Sequence, residues 1–217
     1  MKYKWLNKQN NNKLIIFFNG LGMDEGVVKH LDCENYDVVM FYDYNTLETD
    51  FVLDKYKEKY LVAWSMGVMI ATNFFTPSSA LRAPSPAGGE GYNKATAING
   101  TLKPIDSEYG IHPKIYDLTI KGFNSEKFIS NMFDTREKLT PHPIPLLKER
   151  ESKDQKSELI AIKNYSANED FKYTRIIISD NDKIIPTKSQ CKFWRQEANL
   201  HAGHCPFLGF KKWSELL

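Results

Sequence analysis

A single serine stands where two patterns meet in Leu61–Val62–Ala63–Trp64–Ser65–Met66–Gly67–Val68–Met69–Ile70–Ala71. An apolar, β-prone run ends at Ser65, and a helix-compatible run starts immediately behind it. The spacing is that of Gly-x-Ser-x-Gly with Ala63 in the first glycine position. That pattern marks a sharp strand-to-helix turn which lifts a hydroxyl off the end of a sheet. Small residues are needed on both sides because the strand and helix backbones pack closely there, and alanine is the mildest departure from glycine. A serine displayed in this way can attack an acyl carbon if a base lies within hydrogen-bond reach and a third group orients that base. A serine in a tight turn can also be merely small, so the partners decide.

The partners follow Ser65 in the order acid, then histidine, which is one of the orders such triads take. Ser179–Asp180–Asn181–Asp182–Lys183–Ile184–Ile185–Pro186 follows the last expected strand, where an acid would emerge at the sheet edge. Asp182 is the better candidate and Asp180 the reserve, although aspartates after a strand are also common turn residues. Of the five histidines, His30, His112, His142, His201 and His204, only the last two follow the acid. Gly203 and Pro206 favour a defined turn with His204 displayed, so His204 is the candidate general base and His201 the reserve. An ester-cleaving site also needs two N–H donors for the developing oxyanion. The amide of Met66, directly after the serine, supplies one. The glycine-broken loop Asn19–Gly20–Leu21–Gly22 supplies the other, with the Leu21 amide as candidate. No His/Asp/Glu cluster has metal-ligand spacing, and no cofactor or metal is expected.

These residues require a scaffold of short buried strands alternating with helices. Tyr3–Leu6, Leu14–Phe18, Tyr36–Tyr42, the run before Ser65, Ala95–Asn99 and Arg175–Ser179 read as strands. Helices are expected around Glu25–Leu31, Met66–Phe75, Lys188–Ala198 and Phe207–Leu217. The fold class is therefore α/β, with a mostly parallel central sheet covered on both faces. Between Leu102 and Tyr173 the strand signal disappears, and Glu126–Phe133 and Ser157–Tyr165 look like amphipathic helices. The expected division is a core of 1–101 and 174–217 with a helical lid insertion at 102–173. Irregular loops are expected at 76–91 and 140–151, which together hold six of the ten prolines.

Bulk properties exclude other classes. With 29 basic and 27 acidic residues among 217 the net charge is +2, and no basic block stands out to suggest nucleic acid. No run approaches the roughly 18 apolar residues of a membrane span, and the N-terminus lacks the apolar core of a signal sequence. Cys33, Cys191 and Cys205 are widely spaced and read as reduced thiols. The reading is a cytoplasmic enzyme, expected to be a monomer.

Phe17–Phe18–Asn19–Gly20–Leu21–Gly22, Leu61–Val62–Ala63–Trp64–Ser65–Met66–Gly67–Val68, Ala97–Ile98–Asn99–Gly100–Thr101 and Gly203–His204–Cys205–Pro206–Phe207 together resemble the BioG-type pimeloyl-acyl-carrier-protein methyl ester esterases. The resemblance covers nearly the whole chain except the two proline-rich stretches. It implies an α/β-hydrolase core under a helical lid, and removal of the methyl group from pimeloyl-carrier-protein methyl ester in biotin synthesis. Ser65, His204 and Asp182 would be nucleophile, base and orienting acid, with the Leu21 and Met66 amides as oxyanion donors. Trp64, Tyr116, Phe123, Phe128 and Phe133 are candidates for the acyl-binding wall, with ordinary packing as the alternative for each. Lys121, Lys127, Arg136 and Lys138 are candidates for docking an acidic carrier protein. Asn19 departs from the family pattern, which commonly has histidine there. A carboxylesterase or thioesterase for another acyl group, and a catalytically silent binding protein of the same fold, are the alternative readings.

Overall fold

The computed structural model describes residues 1–53, 56–74, 92–133 and 152–217. Six strands, β1 (Lys2–Asn7), β2 (Lys13–Phe18), β3 (Tyr36–Tyr42), β4 (Glu58–Trp64), β5 (Lys94–Ile98) and β6 (Arg175–Ile177), form one sheet in the order β1-β3-β2-β4-β5-β6. Only β1 runs antiparallel to its neighbour, β3; β2, β3, β4, β5 and β6 pair in parallel. The period of two along a strand sorts its side chains between the faces. Leu14, Ile16 and Phe18 join Leu61 and Ala63 on the face that carries α1 (Gly67–Phe74). Ile15 and Phe17 join Val62 and Trp64 on the opposite face, against Phe207 and Trp213. Both faces are covered, which is why β2 through β4 read as continuous apolar runs.

The helices α2 (Pro113–Lys121), α3 (Ser125–Met132) and α4 (Ser152–Ile162) fall between β5 and β6 along the chain, and α5 (Thr187–Trp194) follows β6. His112 caps α2, its Nδ1 accepting the Lys114 N–H at 3.2 Å, and Asn124 caps α3 by accepting the Lys127 N–H at 2.8 Å. The two proline-rich stretches at 76–91 and 140–151 lie outside the described residues.

Three expected helices are corrected. Glu25–Leu31 forms only a 3-10 turn at Glu25–Val27, started by Asp24 accepting the Gly26 N–H at 2.9 Å. The C-terminal stretch breaks into two 3-10 turns, Phe207–Gly209 and Trp213–Leu216. Its backbone bonds elsewhere: Asp32 N–H donates to Lys211 O at 2.9 Å and Trp213 N–H to Asp32 O at 3.1 Å. That detour lets Phe207 and Trp213 both reach Phe17. The helix α5 stops at Trp194 because Arg195 adopts a left-handed conformation, φ 53°. The strand β6 ends early because the N–H groups of Ile178 and Ser179 donate to the side-chain oxygens of Asn199 and Asn99, at 2.9 and 2.7 Å.

Far from the elbow, Asp37 near the start of β3 is fully buried. Its carboxylate accepts from Tyr56 Oη at 2.7 Å, Gln9 N at 2.9 Å, Asn11 N at 3.2 Å and Asn11 Nδ2 at 3.0 Å. Burial pushes its pKa up, but the hydrogen bonds from Tyr56, Gln9 and Asn11 together win and hold it below the usual carboxylate value. A lowered folded-state pKa means stability that is present above the unfolded value and lost as pH falls through the folded one. Asp37→Asn is therefore expected to lower Tm at pH 7 by about 4–8 °C. The gap from wild type in parallel thermal melts should narrow as pH falls below about 4.

Candidate active site

The β4–α1 turn displays Ser65. Its backbone is left-handed at φ 58°, a conformation that costs a non-glycine residue on the order of 1–2 kcal/mol. The surroundings hold it there: Ser65 N–H donates to Ile98 O at 2.9 Å, and Val68 N–H donates back to Ser65 O at 3.1 Å. Gly67 is required by proximity, since a Cβ on it would lie 2.6 Å from Phe18 O and 2.7 Å from Asn19 O. Gly100 is required from the neighbouring strand end, where a Cβ would lie 2.4 Å from Ser65 O. Ala63 fits the first glycine position because it sits within β4, paired with Phe18 and Ala97.

The structure brings Ser65, His204 and Asp182 together. His204 Nε2 lies 2.8 Å from Ser65 Oγ, and His204 Nδ1 lies 2.7 Å from Asp182 Oδ2. A carboxylate has no proton to give, so Nδ1–H donates to Asp182 and the Nε2 lone pair faces the serine hydroxyl. The other Asp182 oxygen, Oδ1, accepts from the amides of Ile184 at 2.8 Å and Ile185 at 3.0 Å, while Gln190 Nε2 shares Oδ2 at 2.8 Å. These donors fix the acid in one orientation. The reserve pair is elsewhere: His201 and Asp180 bond to each other in exposed positions.

Two residues hold the histidine loop from below. Trp64 Nε1 and Asn99 Nδ2 each donate to His204 O at 2.8 Å. Asn99 also reaches the acid loop, giving an N–H to Ser179 Oγ at 2.8 Å. One buried amide thus ties the acid and base segments together. Sequence reasoning did not assign it this role; the only local signal was Ile98–Asn99–Gly100–Thr101 at a strand end.

A cavity of about 360 Å³ opens above Ser65. Leu21, Ser65 and Met66 are all in its lining, and the loop that carries Leu21 approaches the serine turn closely, since Asn19 O lies 2.7 Å from where a Cβ on Gly67 would be. The residues on either side of Leu21 are pinned, Gly20 N–H by Asn19 Oδ1 at 2.9 Å and Gly22 N–H by Glu158 Oε2 at 3.1 Å. Asn19 also gives its amide to Asp24 O at 2.9 Å and so braces the loop. Met66 directly precedes α1, whose partly positive N-terminal end faces the site.

The apolar wall includes Ile111, Tyr116, Phe123, Phe128 and Leu159. Burial pushes the Tyr116 hydroxyl well up, and its O–H donates to Leu159 O at 3.0 Å. Two expected wall residues are corrected. Trp64 does not line the cavity: it is fully buried, packed edge-on against Phe207, with its indole N–H committed to His204 O. Phe133 packs instead into the core on the sheet face opposite α1. Of the expected docking lysines, Lys127 lines the cavity and is exposed, and Lys121 is exposed at the end of α2 but not in the lining. Arg136 and Lys138 lie outside the described residues. Lys183, directly after the acid, also lines the cavity and was missed, because a lysine in an acid loop carries no pattern of its own.

This sheet, with a serine on its strand-to-helix turn and an imidazole against it, defines a hydrolase of the α/β-hydrolase fold. The chain belongs to the pimeloyl-ACP methyl esterase BioG family, whose model matches residues 1–216. The crystal structure of BioG from Haemophilus influenzae is similar at a TM-score of 0.82 and 29% identity, over 100% of this chain and 99% of that one. A putative aryl esterase from Burkholderia cenocepacia shares the fold at a TM-score of 0.60 and 13% identity, over 95% of this chain and 88% of that one. A malonyl-[acyl-carrier protein] O-methyltransferase from Bacteroides fragilis (strain 638R) is 33% identical over 192 residues, 85% of this chain. This chain spans only 37% of that methyltransferase's length.

Proposed function

We propose that this chain is a serine carboxylic ester hydrolase that removes the methyl group from pimeloyl-[acyl-carrier protein] methyl ester. The observation that carries this reading is the hydrogen-bonded chain Ser65–His204–Asp182 at the floor of an apolar cavity. Family membership supports the substrate. Ser65 Oγ attacks the ester carbonyl carbon while His204 Nε2 takes its proton, and Asp182 stabilises the resulting imidazolium. The Leu21 and Met66 amides hold the oxyanion. His204 returns the proton to the departing methoxide, releasing methanol. Water then attacks the acyl-serine with His204 as base again, Ser65 regains its proton, and a free carboxylate leaves on the carrier.

In this reading 102–173 is the lid over a core of 1–101 and 174–217. Its apolar wall of Tyr116, Phe123 and Phe128 suits a methylene chain, and Lys127 and Lys183 suit an acidic carrier at the mouth. Lys183→Glu is accordingly expected to raise KM for the carrier-linked ester about tenfold. The wild-type KM should itself rise with ionic strength, both read from methanol release.

The test of the substrate is growth of a biotin auxotroph lacking its pimeloyl methyl ester esterase. The wild-type chain should restore growth and Ser65→Ala should not. Failure of soluble wild type to restore growth moves the reading to an esterase or thioesterase for another acyl group.

A further inference from the structure

Glu158 is a fully buried carboxyl on α4 that the reaction above does not use. A buried carboxylate is costly unless its oxygens are hydrogen-bonded. Its partners are informative: Oε2 accepts the Gly22 N–H at 3.1 Å, and Oε1 accepts the Tyr44 N–H at 2.9 Å. Gln155, one turn earlier on the same helix face, donates Nε2 to Gly22 O at 3.3 Å. The N–H and the C=O of Gly22 are therefore both gripped by one helix. Gly22 itself is left-handed at φ 69°, and a Cβ there would press on Gln155 at 3.2 Å. At the other end of the loop, Tyr44 Oη donates to Asn19 O at 2.7 Å. Glu158 thus braces Asn19–Gly22 at both ends, directly at Gly22 and through Tyr44 at Asn19. Leu21 lies between these anchors and lines the same cavity as Ser65, as does Leu159, next to Glu158.

We propose that Glu158, assisted by Gln155, is a positioning residue that sets the Leu21 amide for the oxyanion, so that the helix forming part of the acyl wall also aligns the oxyanion loop. The proposal rests on the esterase reading. It separates the roles of neighbouring residues: Leu159 meets the acyl group, whereas Glu158 acts only through the loop.

The test compares wild type, Glu158→Gln and Gln155→Met in ester hydrolysis and in binding of an alkylboronic acid, whose tetrahedral adduct with Ser65 places an oxygen in the oxyanion position. A glutamine amide keeps one acceptor oxygen but turns an N–H toward the second donor, misaligning the loop. Glu158→Gln should lower kcat about 10–100-fold with KM within threefold, and should weaken boronate binding by the same factor as kcat/KM. Gln155→Met removes one donor from a loop still held by Glu158, should lower kcat about 3–10-fold, and keeps the test alive if Glu158→Gln does not fold. A folded Glu158→Gln, or failing that a folded Gln155→Met, that melts earlier yet keeps wild-type kcat and boronate affinity overturns the proposal while leaving the esterase reading intact. Wild type without activity on any ester overturns the esterase reading and the positioning role with it.

Discussion

Ser65→Ala and His204→Ala should each lower kcat for ester hydrolysis by about 10⁴–10⁶-fold, and the double variant should be scarcely worse than either alone. The non-additivity follows from the geometry. Ser65 Oγ is 2.8 Å from His204 Nε2, and in the proposed mechanism neither group acts in acyl transfer without the other. Asp182→Asn should cost about 10³–10⁴-fold, because an amide can present an N–H to Nδ1 and favour the wrong imidazole tautomer. The Ile184 and Ile185 amides would still hold the remaining oxygen, while Gln190 Nε2 would lose its acceptor, so this loss should come with a Tm only about 2–4 °C lower. Steady-state methanol release from purified variants gives these numbers directly. A Ser65→Ala protein within tenfold of wild type is incompatible with the mechanism.

Gly67→Ala has the largest expected effect on stability. The added Cβ would lie 2.6 Å from Phe18 O and 2.7 Å from Asn19 O, and both are backbone atoms of the β2 end and the oxyanion loop. Neither can retreat like the tip of a flexible side chain. The cost should be about 3 kcal/mol, or about 6–12 °C in Tm for a chain of this size. Because the displaced atoms adjoin the Leu21 amide, kcat should fall along with Tm. Gly209→Ala is the control: its Cβ would meet nothing within 4 Å, and its Tm should stay within about 2 °C of wild type. Thermal melts and kcat on the two variants separate a close-approach glycine from an incidental one.

The parts of this site that could be read in the sequence are those with a local signature. Strand β4 running up to Ser65, with Gly67 two residues on, is a pattern within one window. Asp182 and His204 stood out because each follows a strand or precedes a turn, in an order that acyl-transfer triads use. The braces were not legible, because their partners are distant backbone groups. Glu158 meets Gly22 across 136 residues, and Asn99 meets His204 across 105. Nothing in the spacing of a glutamate or an asparagine announces a carbonyl or an amide that far away. Trp64 shows a different limit: a residue beside the nucleophile can point to either face, and here the strand alternation sends its ring to the face opposite α1. At the C-terminus, Phe207–Leu217 has a helix-like apolar spacing, but pairing with Asp32 claims its backbone instead. Tertiary hydrogen bonding overrode the local pattern there.

The central claim is that the Ser65 oxygen becomes a nucleophile because the imidazole of His204 takes its proton. The most direct measurement is intact and peptide mass spectrometry after brief exposure of the folded protein to a fluorophosphonate. The expected result is one phosphonyl group, carried by the peptide containing Ser65, absent in Ser65→Ala and formed at least about a hundredfold more slowly in His204→Ala. No adduct on the folded wild type, or an adduct that persists in Ser65→Ala, would contradict the claim.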